Sequence, residues 1–318
     1  MKIIAEVGSN FKSLDDCINA THLAKSVGAD AVKFQLYTHD ELYGYPCELA
    51  SHTGIMPKEW LPKLSEKAKA VGIEFMCTPF SVEGIRAIDP YVETHKLASS
   101  EMCHVDMLAV LMALGKPLYI STGGQSLADI AAVAELLDEV PGRNVTFLYC
   151  EAAYPSTHVD MRKLSLMDEL VGSMGFMTGF SDHSKEVYSV PMLARDNGAL
   201  VLEKHFNPFN YTDTPDAPHA LNVDDFKAMV HALQYTDEPR LGWVKSEQDM
   251  VFRHKRRAIV TADIKPGDTL TYNQNFGLYR SKVNDAVGAH PATVHLITGR
   301  ISKVTKAVGE PLALVDCE

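Results

Sequence analysis

The chain has 318 residues, 46% of them hydrophobic, and a formal net charge of -11. That length accommodates a barrel of roughly 250 residues plus a small additional unit. The charge argues against general binding to nucleic acid or an anionic membrane, since the average surface field repels a polyanion. An anionic small substrate then requires locally placed cations.

The opening residues, MKIIAEVGSN, run directly into a strand and a turn without a basic segment followed by an apolar one. Nor does any later apolar run reach the roughly 18 residues needed to cross a bilayer, so a cytoplasmic location is expected. The six cysteines are scattered without C-x-x-C pairs and read as reduced thiols.

In chain order, KIIAEV, AVKFQ, IEFMCT, THKLA, PLYIST, VTFLYC, MTGFS and LVLEKH form eight candidate strands. Amphipathic stretches at 14–27, 57–71, 106–114, 127–138 and 187–197 predict helices between them, with Gly28, Gly72 and Gly115 as stops behind the first three. Eight such units favour a (β/α)8 TIM barrel in the α/β class; a doubly wound sheet shares the hydrophobic pattern.

Nearly every candidate strand ends in groups able to do chemistry. They are Glu6 with Asn10, Lys33 with Gln35, Thr78, Lys96 with Ser99 and Glu101, Ser121 with Thr122, Tyr154, Asp182 with His183, and Lys204 with His205. In a barrel the C-terminal strand ends converge on one mouth, which turns this scatter into a single pocket.

Beyond the eighth unit a polar stretch leads to the cations Arg253, Lys255, Arg256 and Arg257, after which short strand-like pieces and turns take over. The expected organisation is a barrel domain at 1–245, a linker at 246–255 and a small β-rich domain at 256–318. IKPGDTL and AVGEPLAL hint at a short internal duplication.

His183 in GFSDHS and His205 in EKHF stand at the ends of neighbouring strands. A lone histidine in such a place suits a hydrogen-bonded rim position; a pair suits a divalent metal with open coordination sites. Lys33, Lys96 and Lys204 lie in apolar strand contexts where an unpaired ammonium is costly, so they need anions. With the hydroxyls of Thr78, Ser99, Ser121 and Thr122 they suit a bound phosphate; alternatively they pair with Glu6, Glu101 or Glu203. STGG at 121–124, ahead of a helix, can offer backbone N–H groups to the same anion. Cys77 and Cys150 lack an obvious activating base nearby and read as packing residues.

The ordered set AEVGSN, VKFQ, CTPF, HKLASSE, ISTGG, CEAAYP, GFSDHS and EKHF resembles the N-acetylneuraminate synthase family, which includes the pseudaminic and legionaminic acid synthases. The likeness spans the chain, and IVTADIKPGDTL looks like that family's antifreeze-like (SAF) domain. It implies a TIM barrel joined to an antifreeze-like domain in a domain-swapped homodimer, with a divalent manganese, magnesium or cobalt ion. The implied activity condenses phosphoenolpyruvate with an N-acetylated amino-sugar aldehyde and releases phosphate. The acceptor would be of the N-acetylmannosamine or diacetamido-trideoxyhexose type.

The resemblance makes His183 and His205 the metal ligands. It makes Lys33, Thr78, Lys96, Ser99, Ser121 and Thr122 candidates for phosphoenolpyruvate, and sets Glu6, Gln35, Glu101, Tyr154 and Asp216 near the sugar or metal. Glu6, Glu101, Lys33 and Lys96 are the catalytic candidates. Arg280 falls where the family's tail sends an arginine into the partner's site. Two departures imply altered contacts at the mouth: Phe11 stands where the family commonly has a histidine, and Ala152 replaces a polar residue near the phosphoenolpyruvate carboxylate. The rival readings are a barrel metal aldolase or sugar isomerase that does not use phosphoenolpyruvate, and a non-catalytic sugar-binding protein.

Overall fold

The computed structural model describes residues 1–43, 54–234, 255–280 and 288–318. The chain divides into two compact units, Met1–Thr236 and Asp237–Glu318. The expected linker at 246–255 lies outside the described residues except for Lys255.

The first unit is an eight-stranded parallel barrel. Its strands are β1 (Lys2–Gly8), β2 (Ala31–Leu36), β3 (Glu74–Pro79), β4 (His95–Leu97), β5 (Leu118–Ser121), β6 (Val145–Cys150), β7 (Met177–Asp182) and β8 (Val201–His205). They pair in the order β3-β2-β1-β8-β7-β6-β5-β4, and β3 runs beside β4 to close the ring. All eight sequence-predicted strands are therefore present, and the closed ring excludes the doubly wound alternative.

Among the described residues of this unit the helices are α1 (Leu14–Ser26), α2 (His39–Tyr43), α3 (Leu61–Val71), α4 (Val82–Ile88), α5 (Val105–Leu114), α6 (Leu127–Asp138), α7 (Arg162–Gly172), α8 (Ser189–Asp196) and α9 (Val223–Gln234). Local chemistry sets several ends. Ser13 and Ser81 accept backbone N–H bonds at the starts of α1 and α4, and Ser126 forms a capping box with Asp129 at α6. Gly72 and Gly115 stop α3 and α5 in the left-handed conformation, at φ 75° and 69°. The predicted helix at 57–71 starts later, because Lys58–Trp60 is a 3-10 turn and Pro62 occupies the first turn of α3. Helices α2, α4, α7 and α9 escaped the sequence reading; α2 and α4 have only five and seven residues, too few for a helical period to register.

The main core lies between sheet and helices, where Phe34, Phe147, Phe180, Phe206 and Phe226 are buried. Phe11 belongs to it: the ring is 2% exposed and packs edge-on against Phe34 and Trp60. The expectation that Phe11 alters contacts at the mouth is corrected here, since an apolar ring at this place fills the sheet–helix layer.

Inside the barrel, Ile4, Ala31, Met76, Leu148 and Val201 form an apolar plug. Gly179 makes room for it, because a Cβ there would come within 2.7 Å of both the Leu148 side chain and the Val201 carbonyl. Side chains alternate along a strand, so the next inward position above the plug on each strand is two residues further on. On β1, β2, β3 and β8 those positions hold Glu6, Lys33, Thr78 and Glu203. The polar floor of the mouth therefore rests on a dry layer.

The second unit contains an antiparallel pair, β9 (Arg256–Val260) and β10 (Phe276–Arg280), over a core of Ala258, Val260, Ile264, Leu270, Phe276, Ile297 and Leu312. The two similar segments make the same turn. Gly267 and Gly309 sit at φ +96° and +94°. In each turn a carboxylate closes onto a backbone N–H, Asp268 onto Lys265 at 2.7 Å and Glu310 onto Ala307 at 2.6 Å. Arg280 ends β10 with its side chain exposed.

Candidate active site

A cavity of about 410 Å³ opens at the C-terminal ends of the strands. Glu6, Lys33, Gln35, Thr78, Lys96, Ser99, Ser121, Tyr154, His183, His205 and Asp216 all line it, together with Ala152, Ser181 and Glu203. Two of the residues expected in this mouth, Thr122 and Glu101, lie elsewhere, while Arg280 was expected in a partner's mouth. Thr122 is the residue after inward-facing Ser121, so alternation turns it outward; its Oγ1 donates to the Leu148 carbonyl at 3.2 Å and it lines a separate cavity. Glu101 ends the 3-10 turn Ser99–Glu101 and is not among the cavity's lining residues. Arg280 belongs to the second unit.

The floor is an alternating ring of charge. Lys33 Nζ lies 2.8 Å from Glu6 Oε2, 3.5 Å from Glu203 Oε1 and donates to Thr78 Oγ1 at 2.9 Å. Lys96 Nζ donates to Ser121 Oγ at 2.7 Å and lies 3.9 Å from Glu203 Oε2. Glu203 thus sits between the two lysines, with Ser181 donating to it at 3.2 Å. Gln35 donates to Glu6 at 2.7 Å.

Burial pushes the Glu6 carboxyl up to about 7; Lys33 opposes the rise and Glu203 adds to it. Burial also disfavours the Glu203 carboxylate, but Lys33 and Lys96 outweigh that cost and bring it down to about 2. For Lys33, desolvation is overcome by Glu203 and Glu6, and its pKa rises. Desolvation wins for Lys96, which is lowered despite Glu203. With Glu6 protonated, the two lysines exceed the one remaining carboxylate by one positive charge, the condition an anionic ligand needs.

A raised carboxyl pKa means that the folded protein takes up a proton at Glu6. The associated stability is full below the ordinary carboxyl range and is lost as pH rises through about 7. Relative to Glu6→Gln, wild-type stability should fall between about pH 5 and about pH 8, as measured by urea denaturation across that range. Parallel curves for the two proteins would contradict a titrating Glu6.

Lys204 differs from the other two lysines. It follows Glu203 on β8 and points out of the barrel, where it pairs with Asp182 at 2.6 Å and donates to the Ser184 carbonyl at 2.5 Å. The proposed role of Lys204 at a bound phosphate is corrected accordingly. The backbone of STGG is also partly spent, since Thr122 N donates to the Leu148 carbonyl and Gly123 N to Ser99 Oγ.

On the β8 side, His205, Asp216 and His219 bring one ligand atom each within 4.8 Å of one another. Asp216 is held from behind: Ser9 N donates to its Oδ2 at 2.7 Å, and its own N–H donates to Ser9 Oγ at 3.0 Å. Gly8 permits this approach, because at φ +56° a Cβ would fall 2.1 Å from Asp216 Oδ2. His205 Nδ1 and His219 Nε2 are buried without hydrogen-bond partners. Two unpartnered nitrogens facing a carboxylate fit a divalent cation, and such a donor set can hold one. Burial lowers His205 to about 3, so its ring is neutral and one of its nitrogens can offer a lone pair to a cation.

His183 stands beside this group. Its ring stacks on Tyr154 at 4.1 Å between centroids and its Nδ1 bonds the Glu151 carbonyl at 2.9 Å. Cys150 Sγ lies 3.5 Å from His183 Nδ1, a base that the sequence reading did not place there. Burial nonetheless pushes the thiol up to about 12 and His183 down to about 4, so proton transfer between them is unfavourable and Cys150 remains a thiol. Ala152 presents a methyl group to Gly123 and Gly124, while Glu151 turns away to Lys163 at 2.6 Å.

Sequence reasoning underrated two members. Glu203 entered only as one possible internal partner for the lysines, although its position two residues before His205 sets both on the inner face. His219 was missed altogether; the only signal was its place three residues after Asp216.

The family model described as "NeuB family" matches residues 20–242. The chain is 29% identical to the pseudaminic acid synthase of Helicobacter pylori, covering 100% of this chain and 98% of that protein. It is 28% identical to the N,N'-diacetyllegionaminic acid synthase of Legionella pneumophila, covering 90% and 89%. Among solved structures, the N-acetylneuraminic acid synthetase of Leptospira borgpetersenii, in complex with citrate, superimposes with a TM-score of 0.68 at 26% identity, covering 78% of this chain and 89% of that one. A spore coat polysaccharide biosynthesis protein E from Chromobacterium violaceum shares the fold over 99% of both chains, with a TM-score of 0.79 and 22% identity. The barrel, the charged ring at its mouth and the match over residues 20–242 lead to one conclusion: the chain belongs to the NeuB family.

Proposed function

We propose that the chain is a nonulosonic acid synthase that joins phosphoenolpyruvate to an N-acetylated amino-sugar aldehyde. The observation that carries this reading is the buried ring Glu6–Lys33–Glu203–Lys96, which can receive an anion, next to a carboxylate–imidazole group that can hold a cation. Lys33 and Lys96 hold the phosphate, and Thr78, Ser99 and Ser121 direct it by hydrogen bonds. Gln35, Tyr154 and Asp216 face the sugar end, and His183 and His205 are the ligands of the divalent ion. The ion supplies Lewis acidity toward the aldehyde oxygen when bound; manganese is the favoured candidate, with magnesium or cobalt as alternatives.

In the reaction, C3 of phosphoenolpyruvate forms a bond to the aldehyde carbon, whose oxygen takes a proton and becomes a hydroxyl. Glu6, with its raised pKa, is the acid placed for that transfer. Water adds at C2, and the resulting tetrahedral centre loses inorganic phosphate to leave the 2-keto acid. Lys33 and Lys96 stabilise the departing charge. The second unit serves as an antifreeze-like clasp in a homodimer, with Arg280 reaching the partner's mouth. Among the described residues no helix is long and apolar enough to cross a membrane, in keeping with a cytoplasmic enzyme.

The test is inorganic phosphate release from phosphoenolpyruvate with manganese and a panel of N-acetylated amino sugars. Release that needs both acceptor and metal, and that stops on chelation, is the expected result. Turnover of a sugar without phosphate release would instead identify an aldolase or isomerase. Sugar binding without turnover would indicate a binding protein, with Ala152 the first residue to examine.

A further inference from the structure

We infer that Glu151, clasped by Tyr149 and Lys163, is a positioning residue: it holds the loop Glu151–Ser156, which aims the His183 ring and carries Ala152 and Tyr154 into the mouth. The inference rests on the synthase reading for its effect on turnover, yet its binding test needs none.

The loop wraps around His183. The Glu151 carbonyl accepts from His183 Nδ1 at 2.9 Å, Ser156 N donates to the His183 carbonyl at 3.1 Å, and the Tyr154 ring stacks on the imidazole. A carbonyl can only accept, so the imidazole proton sits on Nδ1 and the Nε2 lone pair is left for an ion. Burial lowers His183 to about 4, which keeps the ring neutral. The place of the Glu151 carbonyl therefore decides where that lone pair points.

Little packing holds the carbonyl in place. Ala152, Ala153 and Tyr154 are exposed. Behind the loop lies a second cavity, of about 400 Å³, lined by Tyr149, Glu151 and Lys163 with Gly124 and Met167. Glu151 and Gly124 line this cavity while their neighbours Ala152 and Gly123 line the mouth, so the wall between the two is one backbone thick. Atoms that face a void lose dispersion contacts on that side, and such a wall depends on its polar anchors.

The anchor is the latch on Glu151. Alternation along β6 sets Tyr149 and Glu151 on the outer side of the barrel. Glu151 Oε1 accepts from the Tyr149 hydroxyl at 2.5 Å and from Lys163 Nζ at 2.6 Å. The Tyr149 ring is buried and lies 5.5 Å from Phe180 between centroids, which fixes one end of the latch in the core. Lys163, on α7, fixes the other. Burial acts against the Glu151 carboxylate, but Lys163 and Tyr149 outweigh it and hold its pKa below the ordinary value. Ala153 N donates to the Glu151 carbonyl at 2.8 Å and closes a tight turn, so a shift of the side chain is passed directly to the carbonyl.

The experiment is Co²⁺ binding to the full chain, stripped by chelation and titrated by calorimetry, with a thermal melt of each variant. Losing a group that orients a metal ligand costs about 10–100-fold in affinity. Glu151→Ala should therefore weaken Co²⁺ by roughly tenfold or more. Lys163→Met should weaken it in the same direction, and Lys163→Arg, which keeps the ion pair, should stay within a few-fold of wild type. In turnover, the Co²⁺ concentration that gives half-maximal phosphate release should rise by the same factor as the binding constant. A latch that only supports the fold would lower the melting temperature and leave the affinity of the folded protein unchanged. That result in Glu151→Ala would overturn the inference, as would failure of wild type to bind Co²⁺. The Lys163 side chain is 55% exposed, so Lys163→Met carries the test if Glu151→Ala does not fold. Equal affinity in Lys163→Met and wild type would then be the overturning result. The expected affinity losses with no phosphate release from any acceptor would sink the synthase reading and leave this one standing.

Discussion

Glu203→Gln should be the most damaging conservative change in the barrel mouth, lowering stability by about 3–5 kcal/mol near neutral pH. Glu203 is the carboxylate that both buried lysines share, at 3.5 Å from Lys33 and 3.9 Å from Lys96. Lys33 keeps Glu6 at 2.8 Å after the change. Lys96 keeps only Ser121 and the Leu97 carbonyl, neither of which neutralises it. Its pKa is already lowered by desolvation and should fall further, so proton loss relieves part of the cost. A depressed lysine pKa contributes stability at high pH that is lost as pH falls through the folded value. The deficit of the variant should therefore be larger at about pH 6 than at about pH 9, read from urea midpoints at both. Phosphate release should be lost at both. An equal deficit at the two pH values would show that Lys96 is not the charge left uncompensated.

Lys204→Met should cost a similar amount, about 3–5 kcal/mol, for a reason unrelated to the mouth. Lys204 and Asp182 form a pair with both side chains fully buried, 2.6 Å apart. Removing the ammonium leaves the Asp182 carboxylate in the layer outside the sheet, with Ser184 N as its remaining donor at 2.8 Å. The double variant Lys204→Met, Asp182→Leu should recover much of the loss, since replacing a buried pair with apolar groups is often neutral. Because neither side chain lines the cavity, residual folded protein should keep its cobalt affinity. Chemical denaturation of the two variants and a cobalt titration of each make the check. No recovery in the double variant would mean that the pair's hydrogen bonds, and not its charge, hold this region.

These two lysine-linked sites mark the boundary of what the sequence made readable. The eight strands were legible because short apolar runs alternated with amphipathic stretches, and their chemistry-bearing ends predicted a common mouth. Eleven of the residues singled out do line one cavity. Phe11 and Thr122 show where that reading failed: Thr122 follows inward-facing Ser121, so backbone alternation turns it outward, and Phe11, three residues past the end of β1, packs into the sheet–helix core. Helix α4, with seven residues, is too short for a helical period to register, whereas α7 and α9 carry apolar positions at helical spacing, Leu164, Met167 and Val171 in one and Phe226, Met229, Val230 and Leu233 in the other, and were legible in principle.

What the sequence by itself determined was the repeat: strand periods, glycine stops, serine caps and the clustering of reactive groups at strand ends, all of which depend on neighbours within a few residues. The tertiary structure alone decided which charges share a pocket. Glu6, Lys33, Lys96 and Glu203 are drawn together from four strands. Asp216 is aimed between His205 and His219 by a turn whose fit depends on the absent side chain of Gly8. Such convergence rests on barrel closure and side-chain direction, and one residue of register inverts it; local sequence pattern carries neither quantity.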